Sequence, residues 1–335
     1  MKKMKYIQIK LLFLALTLCC SVGQLKAQID PHFSQYYANP LWLNPALTGV
    51  TDGDYRVNVN AKQQWASLGK GFLTAGASFD TAPTKNLSFG AMVLNQNAGE
   101  ISFNQLNALL SGAYRIRFGR NGDQIINFGL QAGIINKSFD PSKITLGSQF
   151  NPIMGYDDTM PFNETFVSSS YLAPDINTGI MFFDAGPNKA VNVFAGAAVS
   201  HLTQPKDKFI GGDAKMPMRF TGHGGARIEL NYMFDITPNF IYLKQGEAQE
   251  FAAGAYAKFM LDAESDLIFG SNYRFDDAAI AFLGFHLKNM VIGASYDFNT
   301  SSLNRATASR GGLELSISFT SRKGIVGPNF FCPRL

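Results

Sequence analysis

Met290-Val291-Ile292-Gly293-Ala294-Ser295-Tyr296-Asp297-Phe298 alternates without a slip. Met290, Ile292, Ala294, Tyr296 and Phe298 share one face; Val291, Gly293, Ser295 and Asp297 share the other. A period of two marks an extended strand with one greasy face and one wet face. The pattern recurs along the chain. Leu267, Phe269, Tyr273 and Phe275 oppose Gly270, Asn272 and Arg274; Leu313, Leu315, Ile317 and Phe319 oppose Glu314, Ser316 and Ser318. Tyr55, Val57, Val59, Ala61 and Trp65 oppose Arg56, Asn58, Asn60, Lys62 and Gln64. Such strands build either a soluble sandwich, whose greasy faces pack on each other, or a membrane barrel, whose wet faces line a lumen.

Strand length favours the barrel. The alternating runs span about 9 to 15 residues, against roughly 5 or 6 in globular proteins. Aromatics sit at run ends (Tyr55, Trp65, Phe118, Phe275, Phe298, Phe319), as in an interfacial girdle. After residue 27 no apolar stretch approaches the roughly 18 residues of a membrane helix. The alternation predicts an all-β, up-and-down transmembrane barrel of about 14 strands over 55–320. They fall near 55–66, 72–80, 87–95, 104–118, 124–138, 174–183, 190–202, 217–233, 237–246, 249–260, 265–275, 278–287, 289–298 and 311–320. The run at 237–246 alternates weakly and contains Pro238. With a periplasmic start, every even connection is short, and the long ones, 139–173, 203–216 and 299–310, all fall on outer positions. That is the loop asymmetry of an outer-membrane barrel.

Composition agrees. Of 335 residues, 46% are hydrophobic and only 16% charged, against roughly 25% in a soluble domain. The apolar content excludes a disordered chain, and three Cys are too few for a disulfide scaffold. The first 27 residues hold five of the 29 Lys and Arg and none of the 25 acids, so the rest carries a net charge of −1. Nucleic acid as a partner loses its electrostatic argument.

A basic stretch to Lys10, an apolar run from Leu11 to Val22, and Leu25-Lys26-Ala27 before Gln28 form a secretory signal peptide, cut between Ala27 and Gln28. A lipoprotein cut at Cys19 or Cys20 fits worse, because no small residue precedes either. Cys332 then stays as a lone cysteine, incidental or intermolecular.

Catalytic, cofactor and metal signals are absent from the spacing. His32, His201, His223 and His286 have no zinc-like partners in sequence. Gly222-His223-Gly224-Gly225 lies inside a strand, with no helix and no Lys-Ser/Thr after it. There is no Gly-x-Ser-x-Gly elbow. The wet faces carry Arg56, Lys62, Arg115, Arg117, Lys137, Arg219, Arg227, Lys258 and Arg274 against Glu229, Asp297 and Glu314, a basic excess. It suits a wall-stiffening network, or else an anion path or acidic-peptide site.

Residues 28–54 do not read as a strand. Three Pro among Tyr, Phe and Trp need burial without a regular ladder, which suits a plug packed in the lumen or at the periplasmic mouth. The run contains Asp30-Pro31, Phe33-Ser34-Gln35-Tyr36-Tyr37, Asn39-Pro40, Asn44-Pro45-Ala46 and Gly49. In this it closely resembles the start of the PorP/SprF family of type IX secretion system outer-membrane proteins. Arg56, Asn58, Asn60, Gln64 and Trp65 resemble the family's first strand, and His201-Leu202-Thr203-Gln204-Pro205 its mid-chain motif. Ser295-Tyr296-Asp297-Phe298 with Ser301-Ser302-Leu303, and the terminal Phe331-Cys332-Pro333-Arg334, are similar too; Leu335 departs from the usual aromatic end.

The resemblance implies a non-enzymatic barrel, without cofactor, in a Bacteroidota-type outer membrane. It implies partners among the secretion machine's ring and motor components, and cargo that is secreted or displayed, gliding adhesins included. A passive porin and a lipid-acting barrel enzyme are the competing functions. The tail 321–335 has Arg322, Lys323 and Arg334, no acid, and Phe330-Phe331; it either docks a periplasmic partner or folds back on the barrel base.

Overall fold

The computed structural model describes residues 30–67, 69–119, 122–144, 149–151, 155–156, 168–186, 189–206, 208–209 and 215–321. Ala27, Gln28, Phe331, Cys332, Pro333 and Arg334 lie outside these residues.

Fourteen antiparallel strands close into one barrel. In chain order they are β1 (Tyr55–Gln64), β2 (Phe72–Thr81), β3 (Leu87–Ala98), β4 (Phe103–Phe118) and β5 (Gln124–Ser138). After a two-residue ladder in the next loop, β6 (Phe150–Asn151) on β7 (Gly155–Tyr156), come β8 (Ser170–Asp184), β9 (Val191–Ser200), β10 (Arg219–Asn231) and β11 (Phe234–Gln245). The rest are β12 (Ala248–Met260), β13 (Ser265–Arg274), β14 (Ala278–Leu287), β15 (Met290–Asn299) and β16 (Arg310–Ser321). Sequence neighbours pair throughout, and β1 closes on β16 from Tyr55↔Ser321 to Gln64↔Gly312. Closure gives every barrel strand a neighbour on both sides, with overhangs left only at the rims.

Alternation sets which face turns outward. Val59, Leu110, Leu130, Leu283, Ile292 and Leu315 are exposed, while Asn60, Asn107, Gln131, Asn177, Asp297 and Glu314 on the opposite parity are buried. Aromatic rings gather at both rims. Tyr55 lies between Phe79 and Phe319 at one end; Phe251, Phe275 and Tyr273, and Tyr296 with Phe298, cluster at the other. Long connections 139–169, 201–218 and 300–309 all lie at that second end, so the barrel has a loop end and a short-turn end.

Three boundaries move by three residues or more from the sequence expectation: β3 runs on to Ala98 rather than about 95, and the other two lie near proline. β8 starts at Ser170 rather than near 174, because its first residues pair with β5 alone; the β9 ladder begins only at Thr178↔Val199, so Pro174 faces an edge that needs no N–H. β11 starts at Phe234, so 234–236 is strand and not connection. Pro238 points outward, and the β10–β11 ladder breaks beside it, between Gly225↔Asn239 and Ile228↔Ile236.

Residues 30–50 run through the barrel's interior. Asp30 lies at the loop end beside His201, and Val50 lies at the short-turn end beside Arg56, where β1 begins. Three single turns shape the run: Tyr36–Ala38, Pro40–Leu43 and Pro45–Leu47. Pro40 and Pro45 each open a turn, where a missing N–H costs nothing. Asn44 caps the last one, accepting from Ala46 N at 2.9 Å. Phe33, Tyr36 and Trp42 are 4%, 7% and 8% exposed. The inner wall turns apolar where they pack: Met92, Leu94 and Leu109 meet Phe33, Leu41 and Trp42, and Ile125, Met181, Phe183, Phe194 and Ile241 meet Tyr36, Tyr37, Leu43 and Leu47.

Candidate functional site

The segment's polar groups are answered by the wall, strand by strand. At the loop end, Asp30 Oδ2 lies 2.6 Å from His201 Nε2 and 3.2 Å from an Arg219 guanidinium nitrogen. His201 Nδ1 lies 3.0 Å from Asp175, and Gln105 Nε2 donates to Asp30 at 3.3 Å. All five side chains are buried. Burial alone would push the His201 imidazole down. Asp30 and Asp175 outweigh it and carry it up to about 9, so His201 is a cation at neutral pH. Burial likewise raises Asp30, but His201 and Arg219 hold it well below the carboxylate range. Arg219 also lies over the Trp42 ring, 4.1 Å from its centroid, and donates to Trp42 O at 3.1 Å. Trp42 Nε1 donates back to Pro31 O at 3.0 Å.

In mid-lumen, Ser34 N donates to Glu314 at 2.7 Å and Ser34 Oγ to Asp297 at 2.6 Å. Gln35 donates through Nε2 to Ser295 Oγ and accepts from Ser316 Oγ. Lys62 Nζ bridges Ser34 Oγ at 2.8 Å and Asp297 at 3.2 Å, and Arg274 donates to Asp297 at 2.8 Å. Tyr36 Oη donates to Asn239, Asn39 Nδ2 donates to Asn60, and Tyr37 stands edge-on to Phe194 and His223.

Nearer the short-turn end the segment touches wall backbone. A Cβ on Gly129 would stand 2.2 Å from Ala46 N, and one on Gly179 would stand 2.0 Å from Asn44 Oδ1. Glycine there leaves the groove that Asn44-Pro45-Ala46 occupies. Asn44 Nδ2 donates to Ile180 O at 3.1 Å and meets His223 Nε2 at 3.1 Å; Asn127 Nδ2 donates to Ala46 O at 2.6 Å. Gly49, at φ +70°, donates to Asp80 at 2.8 Å and accepts from Arg115 at 2.6 Å. Arg56 ties Asp80 to Leu47 O and Val50 O.

The segment therefore gathers motifs that are far apart in sequence. Asp30 meets His201, Ser34 and Gln35 meet Ser295 and Asp297, Asn39 meets Asn60, and His32 meets Gln64. Leu303 stays apart, starting a helical turn at 304–307 in the last loop. The basic excess expected on the wall is corrected by Asp80, Asp175, Asp235, Glu250 and Asp266, which also face inward. They pair with Arg56, His201, Arg227, His32 and His286 respectively. Inward parity on the strands could have found these acids; their partners could not be found that way.

Cavities remain on both sides of the segment. One of about 800 Å³ opens at the short-turn end between Tyr37, Tyr256, Phe282 and β10–β14. Another of about 720 Å³ lies at the loop end near Asp30, Gln64, Trp65 and Phe275.

The Ralstonia pickettii toluene transporter TbuX has the same barrel architecture, with a TM-score of 0.53 at 11% identity, over 84% of this chain and 92% of that one. A mutant of the monoaromatic hydrocarbon channel TodX is similar, with a TM-score of 0.51 at 11% identity, over 84% and 94%. At that identity the likeness is one of fold alone. No curated protein sequence matches. The model of the type IX secretion system membrane proteins PorP/SprF matches residues 25–319, almost the whole of the barrel and its lumenal segment. The chain belongs to the PorP/SprF family of type IX secretion system membrane proteins.

Proposed function

We propose that this barrel is a non-enzymatic outer-membrane component of the type IX secretion system. It supports the secretion, anchoring or surface display of cargo, gliding adhesins among them, together with the periplasmic ring and motor. It is exported on a signal peptide cut between Ala27 and Gln28, in a Bacteroidota-type cell, and its outward face meets outer-membrane lipid.

The observation that carries this reading is the family match over residues 25–319. The filled lumen supports it from a second side. A passive porin needs an open lumen, whereas residues 30–50 occupy this one and bind most of the wall around it. The signature residues Asp30, Pro31, Phe33, Ser34, Gln35, Tyr36, Tyr37, Asn39, Pro40, Asn44, Pro45, Ala46 and Gly49 then serve to seat the segment, not to turn over a substrate.

The test is a deletion strain, with surface proteins compared by mass spectrometry before and after complementation. The expected result is loss of one or a few displayed proteins, restored by the intact chain. An unchanged surface, with small-solute uptake impaired instead, would favour the porin.

A further inference from the structure

The charges around the loop-end cavity are already matched. Asp30 pairs with Arg219, Arg274 with Asp277 at 2.6 Å, and Glu250 lies 3.7 Å from His32. Asp276, exposed at the rim, adds a carboxylate that repels an anion. What the walls offer a ligand is neutral. Side-chain amides come from Gln64 on β1, Gln96 on β3 and Gln245 on β11, and each amide both donates and accepts. Two buried polar atoms in the lining, Thr221 Oγ1 and Arg219 Nε, have no hydrogen-bond partner among the described residues. Their side chains belong to residues only 4% and 6% exposed. A buried polar atom left unanswered carries a cost that a bound hydroxyl would remove.

Aromatic rings stand beside these groups. Phe33 and Trp42 come from the lumenal segment, Trp65 and Phe72 from the ends of β1 and β2 at the rim. Trp65 follows β1 with a left-handed backbone at φ +53°, uncommon for a bulky residue, and stands edge-on to Phe72 with ring centroids 5.2 Å apart. It is half-buried, so part of its surface is free to pack. The cavity's volume of about 720 Å³ lies within the range of small-ligand sites. A sugar ring has an apolar C–H face, which an aromatic ring covers, and hydroxyls that both donate and accept, which amides and a spare Thr hydroxyl answer. An extended peptide fits less well. It binds a sheet by adding a strand at a free edge, and the strands around this cavity are paired on both sides.

We propose that the loop-end cavity binds a short, uncharged saccharide. One sugar ring packs on Trp65, and hydroxyls reach Thr221, Arg219 and the three glutamines.

Both tryptophans of the chain line this cavity, so intrinsic fluorescence reports its occupancy. The chain is purified in lauryldimethylamine oxide, which brings no competing sugar, and titrated with maltotriose, cellotriose, mannotriose and chitotriose. At least one should shift the emission saturably, and its sulfated form should bind about 5-fold more weakly. Thr221→Val removes the spare hydroxyl at nearly equal volume. The barrel should keep its heat resistance, because that oxygen has no partner to lose, while affinity falls about 5-fold. Trp65→Ala, read through Trp42, should weaken binding about 10-fold. No saturable response to any of the four sugars, equal binding of the sulfated form, or unchanged affinity in either variant would overturn the proposal. So would saturation by the neutral peptide Gly-Ser-Gly-Ser at the same concentrations.

Discussion

Two buried charge clusters hold the N-terminal segment, and they differ in which side brings the charge. At the loop end the segment supplies the acid: Asp30 sits among His201, Arg219 and Asp175 of the wall. In mid-lumen the wall supplies acids and bases together, with Lys62, Arg274 and Asp297 already paired beside Glu314, and the segment adds the neutral donors of Ser34 and Gln35. Removing the segment leaves the second cluster electrically complete. The first loses an acid from a buried site in which Arg219 and Lys137 stand beside His201 and Asp175. The loop-end attachment is thus the one that depends on charge, and the central one depends on hydrogen-bond geometry.

The sharpest way to break the contrast is Asp30→Ala. It strips a buried network of one partner, a change that costs about 3–5 kcal/mol. In a Trp65→Phe background, Trp42 emission should shift to the red as Arg219 and Pro31 lose their places around the ring. Unchanged emission would mean that Asp30 does not hold this end.

Alkaline pH should make a milder version of the same break. His201 is raised to about 9, so its contribution is complete below the ordinary histidine value of about 6.5, declines above it, and is gone once pH passes about 9. Asp30 is lowered, so its contribution is present above about pH 4 and is lost only in strong acid. The loop end should hold best between about pH 4 and 6.5. A titration of Trp42 emission from pH 6 to 10 checks this, and a flat curve would contradict the charged latch. Lys137 also faces Asp30.

Gly129→Ala tests the groove instead of the charges. The added methyl meets Ala46 N at 2.2 Å, an overpacking cost of about 1–3 kcal/mol. Gly222→Ala, with open space around its Cβ, is the matched control and should change nothing. Heat release of the segment, followed by proteolysis between Asp30 and Val50, separates the two. The smallest effect is expected from Glu314→Gln. The Ser34 and Gln35 amides keep an oxygen to donate to, and the loss is the charge-assisted part, about 1 kcal/mol. A loss as large as that of Asp30→Ala would erase the distinction between the two clusters.

The barrel was legible because inside and outside differ strongly at a period of two, so residues such as Met290 to Phe298 carry their own orientation. Pro174 opened one expected strand and Pro238 sat second in another, so both strands were begun too late, although each proline lies where one neighbouring ladder is interrupted. The segment was legible only as something needing burial. Its partners were not, because Asp30 and His201 are 171 residues apart, Ser34 and Glu314 are 280 apart, and pattern alone does not say which inward residues meet across a lumen. His201 shows the limit well. Its sequence suggested a motif, while its left-handed backbone at φ +61° and its place between two carboxylates appear only in the fold.

The central claim is that the signature segment is a bound part of the barrel interior. Hydrogen exchange on the intact chain in detergent tests it directly. The amides of Ser34, Gln35, Ala46 and Gly49 all donate to buried oxygens, so peptides covering 33–50 should stay protected about as long as those from β4 and β5. Exchange of that stretch at the rate of an unfolded chain, with the strands still protected, would contradict the account.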